Sequence, residues 1–202
     1  MAVDTTGELG EAWAGGMRKE QSAPNKEPTP MQETPRQYAK RILSYIRGQK
    51  PLHVQQATPK KLGRLIRSLT RPQMHKRPAP GKWSIAEILA HLAETELVGG
   101  YRIRMVLSAN GTRLQAFDQN VWARNSNYAR QDPKKSLRTF RMLRENNLAL
   151  LKSLPKKKWS YYGIHAERGK ESIARIVQMF AGHDINHLQQ VARIAKQNHG
   201  SR

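Results

Sequence analysis

Apolar residues recur at three- and four-residue intervals through most of the chain, the period of a helix with one buried face. Tyr38, Ile42, Tyr45 and Ile46 set the first such face, which opens near Pro35 and closes at Gly48 and Pro51. Leu62, Leu65, Ile66 and Leu69 predict a shorter helix over about residues 60–69. Pro72, Pro78, Pro80 and Gly81 predict a stiff loop after it. The next helix carries its own start signal. Ser84 can accept from the backbone N–H of Glu87 while the Glu87 carboxylate reaches back to the N–H of Ser84, a capping box. Ile85, Ile88, Leu89, Leu92, Val98, Tyr101, Met105 and Val106 supply its buried side, and it ends near Ser108, before the turn dipeptide Asn110-Gly111. About 25 residues make it roughly 37 Å long, the spine of the domain.

Residues 112–132 show no clean period, and a loop with a short helix around Gln115 to Ala129 is expected there. Asp132-Pro133 opens another long helix that runs to Leu151. Pro155 and the run Lys156-Lys157-Lys158 belong to a connector. The last helix spans Ser172 to Gln197, with Ile173, Ile176, Val177, Phe180, Val191 and Ile194 on its apolar stripe. No β pattern of convincing length appears. Four long helices with intervening loops predict an all-α protein, a helical bundle with short additional helices. Residues 1–34 hold few aliphatics, Pro24, Pro28, Pro30 and Gly15-Gly16, and no period that could bury a face. They are expected to form a disordered tail ahead of a domain over 35–200. Met31 is the expected native start; endogenous peptides from residues 1–16 would contradict that.

Charge changes this picture more than overall composition does. The formal net charge is +21, but residues 1–34 carry three basic and six acidic side chains, and residues 35–80 twelve basic and none acidic. Such a basic face can attract nucleic acid, anionic lipid or an anionic small molecule. No Gly-aromatic RNA signature, zinc-finger spacing or basic-aromatic repeat accompanies it, so a solvated surface is the plainer expectation and nucleic acid is not the expected partner. No apolar run approaches the roughly 20 residues that span a bilayer, and Met1 to Gly16 lacks the basic and apolar regions of a secretory signal. A cytoplasmic protein with no membrane partner is expected. The chain has no cysteine, so it has no disulfide, no thiolate ligand and no cysteine nucleophile. Any metal must be held by nitrogen and oxygen, and any thiol must come from outside.

The candidate chemistry lies in three histidines. Ile176, Phe180, His183 and His187 step by four, three and four, which puts both imidazoles on the inner face of the last helix, one turn apart. His91 continues the face of the spine helix that holds Glu87, close to Ile88 and Leu92. Two ligands from one helix and one from another make a three-nitrogen site with coordination positions left for water or substrate. Neutral imidazole suits Zn²⁺, Ni²⁺, Fe²⁺ or Cu²⁺ and needs an acceptor for its second nitrogen. Buried core histidines are the structural alternative.

The chain resembles the DinB-like superfamily of metal-binding four-helix-bundle proteins. The resemblance covers about residues 36–197. It rests on Gly81-Lys82-Trp83-Ser84 with Glu87 and His91-Leu92, and on Phe117-Asp118-Gln119 with Trp122-Ala123. His165 with Gly169 and the closing His183-Asp184-x-x-His187-Leu188-x-Gln190 complete it. It implies an up-down-down-up bundle, a homodimer, and a divalent ion such as zinc, nickel, iron or manganese on His91, His183 and His187. Relatives of that type join low-molecular-weight thiols to electrophiles or isomerise maleylpyruvate with a thiol. Asp118 is the candidate to order a ligand or bound water, against a helix N-cap. Trp122 and His165 are candidate pocket residues; His165 is expected in a loop. Asp184 cannot share the face of its histidine neighbours and is expected in a surface salt bridge. Asn186 and Gln190 are candidates to orient ligands, and Trp83 is expected to pack under the start of its helix. His53, His75 and His199 have no convergent partners.

The leading functional expectation is a metal-dependent enzyme of the thiol-transferase type, with a small-molecule substrate and a low-molecular-weight thiol as co-substrate. A hydrolase using the same site, with Asp118 as base, is the close alternative. A basic binding module and a dimeric scaffold without metal are the alternatives from other classes.

Overall fold

Helix starts are written into the chain as polar caps and first-turn prolines. In the computed structural model, which describes residues 33–199, Thr34 with Gln37, Thr70 with Gln73 and Ser84 with Glu87 each form a reciprocal capping box. Asp118 and Asp132 accept from backbone N–H groups of the helices that follow them. Pro35, Pro51, Pro72 and Pro133 occupy first-turn positions, where a missing N–H costs nothing. The helices are α1 (Pro35–Tyr45), α2 (Pro51–Ile66), α3 (Arg71–His75), α4 (Ile85–Ser108), α5 (Gln119–Asn125), α6 (Pro133–Ser153) and α7 (Ile173–His199). No described helix is long and apolar enough to cross a membrane. The expected tail and the Met31 start lie, up to residue 32, outside the described residues.

Helices α2, α4, α6 and α7 make a four-helix bundle. Each of α2 and α4 packs along both α6 and α7, so α2 and α4 face each other across one diagonal and α6 and α7 across the other, while consecutive α4 and α6 are neighbours. One apolar cluster joins the C-terminal half of α2 (Leu62, Ile66), the N-terminal half of α4 (Ile85, Ile88, Leu89), Phe140 early in α6, and Val191 and Ile194 late in α7. Thus α2 and α7 end where α4 and α6 begin, which is the up-down-down-up order. A second cluster at the other pole unites Ile103 and Val106 of α4 with Leu151 of α6 and Ile173, Ile176 and Val177 of α7. Helix α1 lies outside the bundle against α7. Gly182 permits that contact, because a Cβ there would sit 2.1 Å from the Ile42 carbonyl oxygen.

Two expectations about elements are corrected. The helix placed at 60–69 starts at Pro51 and is the first member of the bundle, running straight through Pro59. Pro51 opens this helix rather than merely closing the one before. The missing N–H of Pro59 leaves the Gln55 carbonyl without its partner in the helix, and buried Arg144 on α6 supplies one, donating through Nη1 at 2.8 Å. The same guanidinium pairs with Asp184 of α7 (Nη1 to Oδ2, 2.6 Å) and Glu96 of α4 (2.8 Å), so one side chain ties all four bundle helices together. Asp184 is therefore not at the surface: it is 1% exposed and ion-paired in a polar layer between the two apolar clusters. Asn147 completes the layer by donating to Glu96.

The second correction is a small sheet where no strand is expected. β1 (Arg113–Leu114) pairs parallel with β2 (Tyr162–His165), which pairs antiparallel with β3 (Gly169–Ser172). Strands of two to four residues are too short to display alternation. Gly169, at φ +73°, closes the β2–β3 turn in a conformation that favours glycine.

Candidate metal centre

The site starts from the capping box of α4. Glu87 accepts from the Ser84 N–H at 2.8 Å and from both Arg77 nitrogens that reach it, which anchors the first turn. Burial alone would raise the Glu87 pKa; the bonds from Arg77 and Ser84 outweigh it and hold the carboxyl low. One turn further along, His91 points into the bundle toward α7. There His183 and His187 face it from successive turns, and the three are 2%, 8% and 7% exposed. His91 Nε2 lies 3.0 Å from His183 Nε2, and His187 Nε2 lies 3.1 Å from the same atom. All three offer nitrogens within 4.8 Å of one another, and no carboxylate joins them among the described residues.

Burial holds these imidazoles neutral. It pushes His91 and His183 well below the ordinary histidine range, helped by the neighbouring rings. It pushes His187 down to about 4, partly offset by a hydrogen bond to Gln190 and reinforced by Arg41. That bond, 3.0 Å from His187 Nδ1 to Gln190 Oε1, places the ring hydrogen on Nδ1 and leaves Nε2 as a lone pair facing the cluster.

A divalent metal fits this arrangement. His183 Nε2 carries either one hydrogen or one lone pair, so it can satisfy only one of its two close nitrogen neighbours. A cation at the common point resolves the conflict. Tetrahedral ligand nitrogens around zinc lie about 3.3 Å apart, and the two separations from His183 Nε2 fall within a few tenths of an ångström of that.

The Trp83 ring packs 4.9 Å from the His91 ring, beside the site as well as at the helix start. Tyr128 meets Trp83 edge-on at 6.2 Å and donates to Glu94 at 2.6 Å. The Thr95 hydroxyl lies 3.4 Å from both His91 nitrogens. Sequence reading missed Tyr128, Glu94 and Thr95. Thr95 was legible, four residues after His91 on the same face; Tyr128 sits in a single 3-10 turn with no period to announce it.

Other groups engage most of the remaining candidates. Asp118 is exposed and caps α5, accepting from Asn120 N (2.7 Å) and Val121 N (3.2 Å). Trp122 is half-buried against Phe117, with ring centroids 4.7 Å apart. His165 ends β2 instead of sitting in a loop, and is buried. Asn186 accepts from Arg41 rather than from a histidine, whereas Gln190 does orient His187. His75 bonds the Ala129 carbonyl.

A model of the DinB superfamily matches residues 56–191, about two-thirds of the sequence. The chain belongs to the DinB superfamily. The DinB match takes in all three clustered histidines. Among its relatives, a protein of Oceanobacillus iheyensis named "Putative metal-dependent hydrolase OB0413" is 25% identical over 141 residues, 70% of this chain and 81% of the relative. "Putative metal-dependent hydrolase YfiT" of Bacillus subtilis is 21% identical over 156 residues, 76% and 87% of the two chains. The solved YfiT structure, described as an unusual four-helix bundle topology, superposes with a TM-score of 0.68 at 17% identity, covering 86% of this chain and 94% of YfiT. At that identity the superposition speaks for the fold.

Proposed function

We propose that the chain is a metal-dependent hydrolase of small molecules, with a divalent ion held by His91, His183 and His187. The observation that carries this is the convergence of three buried, neutral imidazoles on one point, with a lone pair of His187 fixed toward it. The names of the DinB relatives support the class. An ion held there supplies Lewis acidity, making an incoming water or thiol a stronger nucleophile at neutral pH. The chain's own groups do the positioning. Gln190 keeps the ring hydrogen of His187 on the far nitrogen, Trp83 walls one side of His91, and Tyr128 with Glu94 braces Trp83. No proton-transfer role is assigned to Asp118, whose carboxylate is engaged by two backbone N–H groups.

A second reading changes only the nucleophile. The three ligand positions bring no carboxylate base, which suits a nucleophile that enters as an anion, such as the thiolate of a low-molecular-weight thiol. The test is elemental analysis of protein purified without chelator or nickel affinity resin, for the wild type and the three single His→Ala variants. Substrate panels are then run with and without added thiols. About one ion per chain, lost in each folded variant, with turnover in water alone supports the hydrolase. Turnover only with thiol supports the second reading. No ion after reconstitution with zinc, nickel, manganese or iron overturns both.

A further inference from the structure

Three turns along α4 from His91, a second set of polar groups has no use in the metal centre. Arg102 follows His91 by eleven residues, so it lies on the same helix face about 16 Å further along the axis. It is 7% exposed, its Nη2 donates to the Gln115 carbonyl, and its guanidinium lies 5.7 Å from the Phe117 ring centre. Among the described residues no carboxylate stands within ion-pair distance of it. A buried guanidinium without a counter-ion is costly and rare. Gln115 directly follows Leu114, which pairs across the sheet with His165, so the sheet brings His165 alongside Arg102.

His165 has an unmet need of its own. It is 2% exposed, and its Nδ1 accepts from the Glu167 N–H at 3.2 Å. In a neutral ring the hydrogen is then on Nε2, and that atom is buried without a partner. Burial, with Arg168 and Arg102 beside it, pushes His165 down to about 4, so the ring is a neutral donor at pH 7. Arg168 is already neutralised by Glu171, through contacts of 2.8 and 3.0 Å. Glu171 and Glu167 act on Arg102 only from beyond ion-pair distance, which leaves a guanidinium without a paired carboxylate beside one free N–H donor.

We propose that Arg102 and His165 form a subsite for the carboxylate of a small-molecule ligand. One carboxylate oxygen accepts from the Arg102 guanidinium, a charge-assisted bond, and the other from His165 Nε2–H. The separation along α4 makes this a recognition site and not part of the chemistry at the three histidines.

The experiment titrates metal-free full-length protein, at constant ionic strength, with acetate, succinate and inorganic phosphate. It reads the His165 Nε2–H resonance by ¹⁵N-edited NMR and affinity by calorimetry. Saturable binding of a carboxylate with a shift of that resonance is expected, weakened at least tenfold in Arg102→Met and in His165→Phe. Binding is expected to recover partly in Arg102→Lys. An Nε2–H signal that carboxylates move no more than chloride does overturns the proposal, even if a variant fails to fold. Tighter binding of phosphate than of either carboxylate overturns the ligand class. Because the protein is metal-free, neither result depends on the hydrolase reading.

Discussion

Replacing Arg144 by Met tests whether one side chain holds the bundle's four helices in register. Arg144 is 1% exposed and pairs with Asp184 and Glu96 while serving the carbonyl that Pro59 leaves open. Burial works against its charge, and the two carboxylates outweigh that. Removing one partner of a buried ion pair costs about 3–5 kcal/mol because the other charge is stranded. An unsatisfied buried carbonyl adds about 1–3 kcal/mol. The losses overlap, since Glu96 keeps Asn147 and Met fills part of the volume, so about 4–6 kcal/mol is expected. For a chain of this size that lowers Tm by roughly 10–20 °C. Urea unfolding followed by circular dichroism measures it. In the variant, the stranded carboxylates have pKa values raised above their unfolded values. The folded state then binds more protons, and the deficit relative to wild type shrinks as pH falls from 7 to 5. Pro59→Ala restores an N–H for Gln55 and should reduce the cost of Arg144→Met by about 1–2 kcal/mol in a double-mutant cycle. A loss under about 1.5 kcal/mol, or a pH-independent deficit with full additivity, refutes this account of the polar layer.

The same approach gives three further outcomes. Gln190→Ala frees the His187 tautomer and should weaken metal affinity about 10–100-fold in chelator competition; unchanged affinity would remove Gln190 from the site. Metal-free protein should lose stability as pH falls from about 6.5 to about 4. His187 has its folded pKa depressed to about 4, so the unfolded chain takes up the proton first. The slope approaches about 1.4 kcal/mol per pH unit for each such histidine, and a profile no flatter in His187→Ala than in wild type contradicts it. Gly182→Ala pushes a methyl group against the Ile42 carbonyl and should cost about 1–3 kcal/mol, with faster hydrogen exchange in α1 than in α4. Uniform exchange would place the strain elsewhere.

What the sequence made legible follows from which signals are local. The α4 capping box, the Asp132-Pro133 start and the four-residue spacing of His183 and His187 need only neighbours along the chain, and each is found in the structure. The start of α2, nine residues ahead of the expected one, turns on Pro59. Its penalty is local and visible, whereas its remedy, the Arg144 guanidinium, stands 85 residues away in sequence. The sheet was hidden because its strands gain their bonds from distant partners and are too short to carry a period.

Asp184 shows how an assumption about solvent propagates. One step along a helix turns a side chain by about 100°, so Asp184 does leave the face of His183 and His187. The expectation of a surface salt bridge then required that the next face be wet. It is dry, because α7 is packed by α2 and α4 within the bundle and by α1 from outside. A charge on such a helix stays buried only if a partner is built for it, and Arg144 is that partner. Adjacent residues on one turn of α7 thus serve different ends: His183 faces the metal centre while Asp184 locks the bundle that positions it. The two can be separated experimentally. His183→Ala should lose metal with the fold intact, and Asp184→Asn should lower stability first and metal affinity only as the bundle loosens.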